Sequence, residues 1–470
     1  MGIVDAAVLE RFQDEGLLLN RDESPTTAST GLHKTRIAKG LNSANLGQGA
    51  ETEVPQIVLD ELPQIIIGGQ SFDCVYPKRG VGGGEAVRAA AAGNAKRNFG
   101  INATADNTLA LPTHGRAVLD TMVIRFNALA DEGAQGIAIP EFCWPMYKGI
   151  IKDARGAHAV SYKNPDDSGK IDPNMFGDIT KLQGIIINPE HNPTGKIYPD
   201  WYVQGIMDLA HEENKRRAAE GRALLWVAGD MPYYHSRPAN ADADTDAGEY
   251  YYETSVAPII MNHDEPTPCG VVIPKTKTGG TAKIGATTFI GNEACFDQVK
   301  ARLMQTYGLS GLEEYFAILK AFYGPEFDAE IIAHEMRLRD KYIENRASLE
   351  DAISDIDDIS LVDGDPGMTS LLRLDPETMY GKRVYGEVTG HYDIKDTNDI
   401  VEFLALNYGI VTVNNGENYL RIANALNPDD YKTASKELAT GLFMVAQASP
   451  IPDASLVSTF EEQRPDAPQL

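Results

Sequence analysis

Three side chains suited to chemistry, Asn192, Asp230 and Tyr233, fall in two short stretches of similar design. These are INPEHNPTGKIY at 187–198 and ALLWVAGDMPYY at 223–234, with a charged helical segment between them. Each stretch runs from an apolar strand into a turn, so the amide, the carboxylate and the phenol stand at strand ends, where an open α/β sheet binds its ligands. Converging on one crevice, the three suit a flat heterocycle with a ring nitrogen and a ring hydroxyl. A carboxylate beside the ring nitrogen keeps that nitrogen protonated, and each pKa unit it adds is about 1.4 kcal/mol of preference for the cationic ring. NPTG alone is an ordinary turn, with Asn and Gly supplying turn conformations and Pro fixing φ. Its pairing with a strand-end Asp is what makes it informative.

Pyridoxal phosphate is a heterocycle of this kind, and its cationic ring is the electron sink on which amino-acid carbanion chemistry depends. The pair NPTG and DxxY resembles the signature of the class I and II aminotransferases, the fold-type-I pyridoxal-phosphate enzymes. Further segments carry the resemblance. TLALPTHGRAVLD at 108–120 reads as a strand, a turn at Gly115 and a helix start. Unpaired N–H groups and the helix dipole make such a start an anion site, so the amides of Arg116 and Ala117 are expected to hold the cofactor phosphate; the plain alternative is a strand-to-helix turn. PEFCWPMYKG at 140–149 resembles the segment whose aromatic residue, here Trp144, stacks on the pyridine ring, although a lone Trp is more often core.

The resemblance implies roles for four more regions. In SANLGQGAETEVPQ at 43–56, Gly47 and Gly49 match the glycine pair that lets substrate approach the backbone. In YPKRGVGGG, Tyr76 takes the position of the tyrosine that reaches the phosphate of the neighbouring subunit, which implies a homodimer. The glycines there do not make a nucleotide loop, since no GK[ST] follows and no apolar strand directly precedes them. In GENYLRIANAL at 416–426, Arg421 takes the place of the arginine that grips the substrate α-carboxylate, a match of planar fork to carboxylate. The preceding loop TVNNGEN is shorter than the usual one.

The Schiff-base lysine departs from the pattern. Transamination needs a lysine that forms an aldimine with the cofactor and then shuttles the α-proton as a free amine. In CGVVIPKTKTGGTAKIGATTFIGNE at 269–293, Lys283 occupies the place of the phosphate-pairing Arg, keeping a point charge but losing the bidentate fork. Counting back eight residues from it gives Lys275, whereas matching the hydroxyl context gives Lys277, flanked by Thr276 and Thr278. Lys277 is preferred for its phosphate-suited neighbours, with Lys275 the alternative; if both are plain loop residues, the chain is a non-catalytic cofactor- or ligand-binding relative.

The elements that must position these residues follow from punctuation and pattern. GIAIP, GIIIN, ALLWVAG and GVVIP read as short buried strands alternating with helical segments such as AVLDTMVIRFNALADEG, which predicts an α/β fold, a mostly parallel sheet with helices on both faces. From about Gln305 the pattern turns to long helices and then the short strands LLRLD, GIVTV and YLRIA. The expected organisation is an N-terminal arm over 1–45, a large cofactor-binding domain over 46–305, a smaller α+β domain over 306–448 and a mobile tail over 449–470, aspartate-aminotransferase-like as the resemblance implies. Neither arm nor tail is expected to hold chemistry.

Composition bounds the rest. A chain of 470 residues exceeds the length at which single cores stop growing, and 43% hydrophobic content supplies the interior. A net charge of −26 would repel nucleic acid and anionic membranes. Cys74, Cys143, Cys269 and Cys295 lack metal-like spacing and read as reduced thiols, so no metal and a cytoplasmic setting are expected. The N-terminal stretch has neither a basic nor an apolar signal region. The function implied by the resemblance is transfer of an amino group between an amino acid and a 2-oxo acid. A pyridoxal-phosphate lyase or decarboxylase on the same fold remains the alternative, because fold alone does not choose the reaction.

Overall fold

The computed structural model describes residues 2–47, 53, 55–57, 85–111, 113–240, 242–244, 247–252, 255–261, 267–274, 287–306 and 323–452. The chain divides into two compact units, one made of 1–49, 344–362 and 370–470, the other of 50–343 and 363–369. The sequence placed the change of domain at 306. The observed division lies at Glu344, inside the helix Asp328–Ile353.

After a two-residue strand β1 (Ala44–Asn45) that belongs to the smaller unit, the larger unit is built on seven strands. They are β2 (Thr108–Leu111), β3 (Gly136–Pro140), β4 (His158–Tyr162), β5 (Leu182–Ile187), β6 (Trp226–Asp230), β7 (Cys269–Pro274) and β8 (Thr287–Gly291), in the order β2-β8-β7-β6-β5-β3-β4. The pairs from β7 through β4 are parallel, while β8 runs antiparallel to both β7 and β2. The expected strands are all present. His158–Tyr162 escaped the sequence reading because HAVSY is mostly exposed at the sheet edge and carries no apolar run.

Strand geometry alternates side chains between faces, and the core divides accordingly. Ile185, Ile187, Val227 and Val271 enter one apolar cluster, whereas Ile186, Trp226, Ala228 and Val272 enter another. A central strand covered on both sides must therefore be apolar throughout, which is why β5 reads GIII without alternation. The helices Gly115–Asn127 and Met146–Asp153 contribute Val118, Leu119, Met122, Ile150 and Ile151 to the second cluster. Tyr202, Ile206 and Ala210 of the helix Asp200–Glu220 join the first.

In the smaller unit, β9 (Ile359–Leu361), β10 (Thr369–Leu374), β14 (Val413–Asn414) and β15 (Tyr419–Ala423) form one sheet in the order β14-β15-β10-β9, with β11 (Lys382–Gly386), β12 (Gly390–Ile394) and β13 (Ile410–Val411) between them in the chain. A hairpin of Lys382–Gly386 with Gly390–Ile394 forms a second. The first 45 residues pack into the core of this unit. They contain the helices Ala6–Asp14 and Pro25–Ala38, and Phe12, Leu17 and Leu32 lie in the same core as Tyr392, Leu404 and Leu438. The tail also begins ordered, since Ser449 and Pro450 pair with Arg383 and Lys382; residues 453–470 lie outside the described ones. No helix among the described residues is long and apolar enough to cross a membrane.

Candidate active site

Parallel strands aim their carboxyl ends the same way, so the turns after β5 and β6 meet above neighbouring strands. Asn188 fastens them: its Nδ2 donates to the Asp230 carbonyl at 2.9 Å and its Oδ1 accepts from the Asn192 N–H at 2.9 Å. Asn192 Nδ2 in turn donates to the Tyr233 hydroxyl at 2.8 Å. The amide and phenol that the sequence singled out are thus bonded to each other beside Asp230, and all three line a cavity of about 310 Å³. Gly115, Arg116, Trp144, Tyr147, Pro232 and Pro274 complete much of its wall.

One wall of this cavity is the start of the helix Gly115–Asn127, whose N-cap His114 makes no side-chain capping bond. The Ala117 N–H donates to the His114 carbonyl at 2.9 Å. That amide is therefore engaged within the chain. Glycine is required here by space: a Cβ at Gly115 would meet Pro274 Cγ at 2.6 Å and Val272 Cγ1 at 3.3 Å. The helix start can approach the end of β7 only without a side chain.

Asp230 sits at the last position of β6 and is 4% exposed. Burial pushes its carboxyl up to about 7; the hydrogen bond from Tyr147 pulls the other way, and the charge of Glu190 adds to the rise. The Tyr147 hydroxyl donates to Asp230 Oδ2 at 2.5 Å, and burial with the facing carboxylate drives that phenol well above its ordinary range. Glu190 is itself fully buried and paired with Arg237. A buried carboxylate with so little compensation favours a cation beside it. The Asn192 Oδ1 is buried and has no hydrogen-bond partner among the described residues. A neighbour that needs a cation and an amide oxygen with nothing to accept are demands that a protonated ring nitrogen and its polar substituents satisfy, so the residues present fit pyridoxal phosphate.

Residues 96–216 match the family model for aminotransferase class I and II. The match covers part of this chain. Its fold is that of aspartate aminotransferase. The Thermus thermophilus aspartate aminotransferase with maleate is 18% identical, with 92% of this chain and 98% of that chain covered and a TM-score of 0.67. The Rhizobium meliloti aspartate aminotransferase is 14% identical, with 90% and 97% covered and a TM-score of 0.68. The alanine aminotransferase of Pyrococcus furiosus is 16% identical, with 90% and 97% covered and a TM-score of 0.67. No curated protein matches this sequence significantly.

The structure gathers Gly115, Arg116, Trp144, Asn192, Asp230 and Tyr233 around one cavity. Arg421 lies in the smaller unit on β15, 3% exposed, with Nη2 donating to the Gly47 carbonyl at 2.8 Å and to Thr26 Oγ1 at 3.4 Å. The N-terminal segment, expected to hold no chemistry, therefore supplies a neighbour of this arginine. Gly49, Tyr76, Lys275, Thr276, Lys277 and Lys283 lie outside the described residues. Sequence reasoning missed Asn188, His114 and Tyr147. The first Asn of INPEHNPTG and the Trp144-to-Tyr147 interval, one helical turn, were the available signals. The three described cysteines, Cys143, Cys269 and Cys295, are buried free thiols, and among the described residues no cluster could hold a metal ion.

Proposed function

We propose that this protein is a pyridoxal-phosphate-dependent aminotransferase that moves an amino group between an amino acid and a 2-oxo acid. The observation that carries the reading is the strand-end Asp230, buried in a cavity with Trp144 on its wall and the bonded pair Asn192–Tyr233 beside it. When bound, pyridoxal phosphate supplies an electron-accepting ring for the carbanion formed at the substrate α-carbon.

The residues have distinct tasks. Asp230 holds a proton at the ring nitrogen, Asn192 and Tyr233 bind the ring oxygen, and Trp144 covers a face of the ring and excludes water from it. The first turn of the helix Gly115–Asn127, with Lys283 and Thr276, binds the phosphate, and Tyr76 of a second copy adds to it in a homodimer. Lys277, or Lys275 in its place, carries the cofactor and moves the α-proton. Arg421 binds the substrate carboxylate through its fork, and Gly49 leaves room for the substrate. The buried free thiols support a reducing, cytoplasmic setting.

Absorbance of the loaded protein tests the reading. The band of the lysine-bound cofactor should disappear with an amino donor and return with 2-oxoglutarate or pyruvate. Loss of carbon dioxide or of a side-chain fragment instead would make the protein a decarboxylase or lyase, and a band indifferent to both substrates would make it a binding protein. Sedimentation at assay dilution should show a dimer; a fully active monomer contradicts the shared site.

A further inference from the structure

The geometry points to Tyr147 as a positioning residue for Asp230: its hydroxyl holds one carboxylate oxygen, keeps the side chain anionic against the burial around it, and so leaves the shared proton on the ring nitrogen. This inference rests on the pyridoxal-phosphate reading of the cavity.

Three observations carry it. Tyr147 is 1% exposed, and its hydroxyl meets Asp230 Oδ2 at 2.5 Å, the length of an O–H donor on an anionic oxygen. Among the described residues no other hydrogen bond reaches the carboxylate, so Oδ1 is left for a cation in the cavity. Finally, Tyr147 is fixed from the ring side. Its N–H donates to the Trp144 carbonyl at 3.0 Å, and the two aromatic rings meet edge to face at 5.7 Å and 84°. One turn of chain thus presents both the stacking ring and the donor that sets the carboxylate behind it.

The titratable groups facing this pair come from several elements. Tyr233 stands in the turn after β6, Cys143 in the segment before the helix Met146–Asp153, and Glu190, matched by Arg237, in the turn after β5. His114 and Arg116 line the same cavity from the helix start. Only Tyr147 is hydrogen-bonded to the carboxylate among these. Removing its donor makes Asp230 more basic, and the proton shared with the ring moves from nitrogen to carboxyl. The ring then accepts electrons poorly. Losing one hydrogen bond to a charged group corresponds to about 10- to 100-fold, which should fall on kcat and leave KM little changed.

The test uses the full chain as Tyr147→Phe and with 3-fluorotyrosine at 147, a more acidic and therefore stronger donor. Carbon-13 NMR of the cofactor-free protein, with Asp230→Asn to assign the signal, should show the Asp230 midpoint rising by about one to two pH units in Tyr147→Phe and falling with fluorotyrosine. With nitrogen-15 in the ring, the bound cofactor of Tyr147→Phe should move toward the shift of an unprotonated pyridine. Unmoved midpoints in both folded variants would overturn the proposal and leave Tyr147 as packing; if Tyr147→Phe does not fold, the fluorotyrosine protein decides alone. A chain that binds no pyridoxal phosphate refutes the reading of the cavity, while the carboxyl midpoints still judge the link between Tyr147 and Asp230.

Discussion

Asp230→Asn should make the cofactor-free protein more stable at pH 8 while nearly abolishing turnover. The magnitude follows from burial. The carboxyl rises from 3.8 to about 7 in the folded chain, a gap worth roughly 4 kcal/mol at 1.36 kcal/mol for each pH unit. Between those values the folded state binds a proton that the unfolded state has released, so stability falls as pH rises through this window. Below 3.8 both states are protonated and the contribution is fully present; above about 7 it is lost. Asparagine keeps the shape, still accepts from Tyr147, and never ionises. Urea unfolding of the two cofactor-free proteins should therefore give equal stabilities near pH 4 and an advantage for the variant growing to a few kcal/mol by pH 8. Saturating pyridoxal phosphate should shrink or reverse the advantage, because the bound cation repays the buried charge and binding to the folded state adds stability. A difference between the proteins that does not change with pH would refute the argument, since it would mean Asp230 ionises freely in the folded chain. Activity of the variant within a few fold of wild type would separately remove the carboxylate from the reaction.

The remaining predictions concern the phosphate, the substrate and the lysine. Gly115→Ala forces a methyl against Pro274, where a Cβ would stand 2.6 Å from Cγ, so it should cost about 1–3 kcal/mol of stability and weaken pyridoxal-phosphate affinity; equilibrium dialysis showing unchanged affinity would take the phosphate away from this helix start. Arg421→Ala should lower kcat/KM about 30- to 1,000-fold, equivalent to roughly 2–4 kcal/mol of a charged bidentate contact, with Arg421→Lys recovering only part of it; unchanged efficiency would mean that the carboxylate is bound elsewhere. Borohydride reduction and peptide mapping should find the pyridoxyl group on Lys277, with Lys277→Ala losing the cofactor band and Lys275→Ala keeping it, because two residues of extended chain shift a Cα by about 6–7 Å. An adduct on Lys275 would show that the spacing to Lys283 outweighs the flanking hydroxyls.

By itself the sequence determined the α/β class, the buried strands and the residues at their ends. A strand covered on both faces must be continuously apolar, and the turn that leaves it must carry the polar groups, so GIII followed by NPEHNPTG and WVAGD followed by MPYY expose Asn192, Asp230 and Tyr233 to inspection. These signals are local: each depends on residues within a few positions of one another. The tertiary structure decided what depends on distant residues meeting. Nothing in PEFCWPMYKG says that Tyr147 reaches Asp230, 83 positions away, because that contact exists only once the segment after β3 folds over the ends of β5 and β6. Nor does TLALPTHGRA reveal that Gly115 is needed for the approach of Pro274.

 The N-terminal segment shows the same limit most clearly. Its polar, turn-rich composition reads as an arm laid over the body or a partner without saying where it rests; Ser29 is buried with its hydroxyl on the Thr412 carbonyl at 2.7 Å, and Arg36 is buried with its guanidinium on the Asn42 carbonyl. Buried polar side chains are tolerated when they are hydrogen-bonded, and their partners can lie hundreds of residues along the chain, where composition carries no record of them.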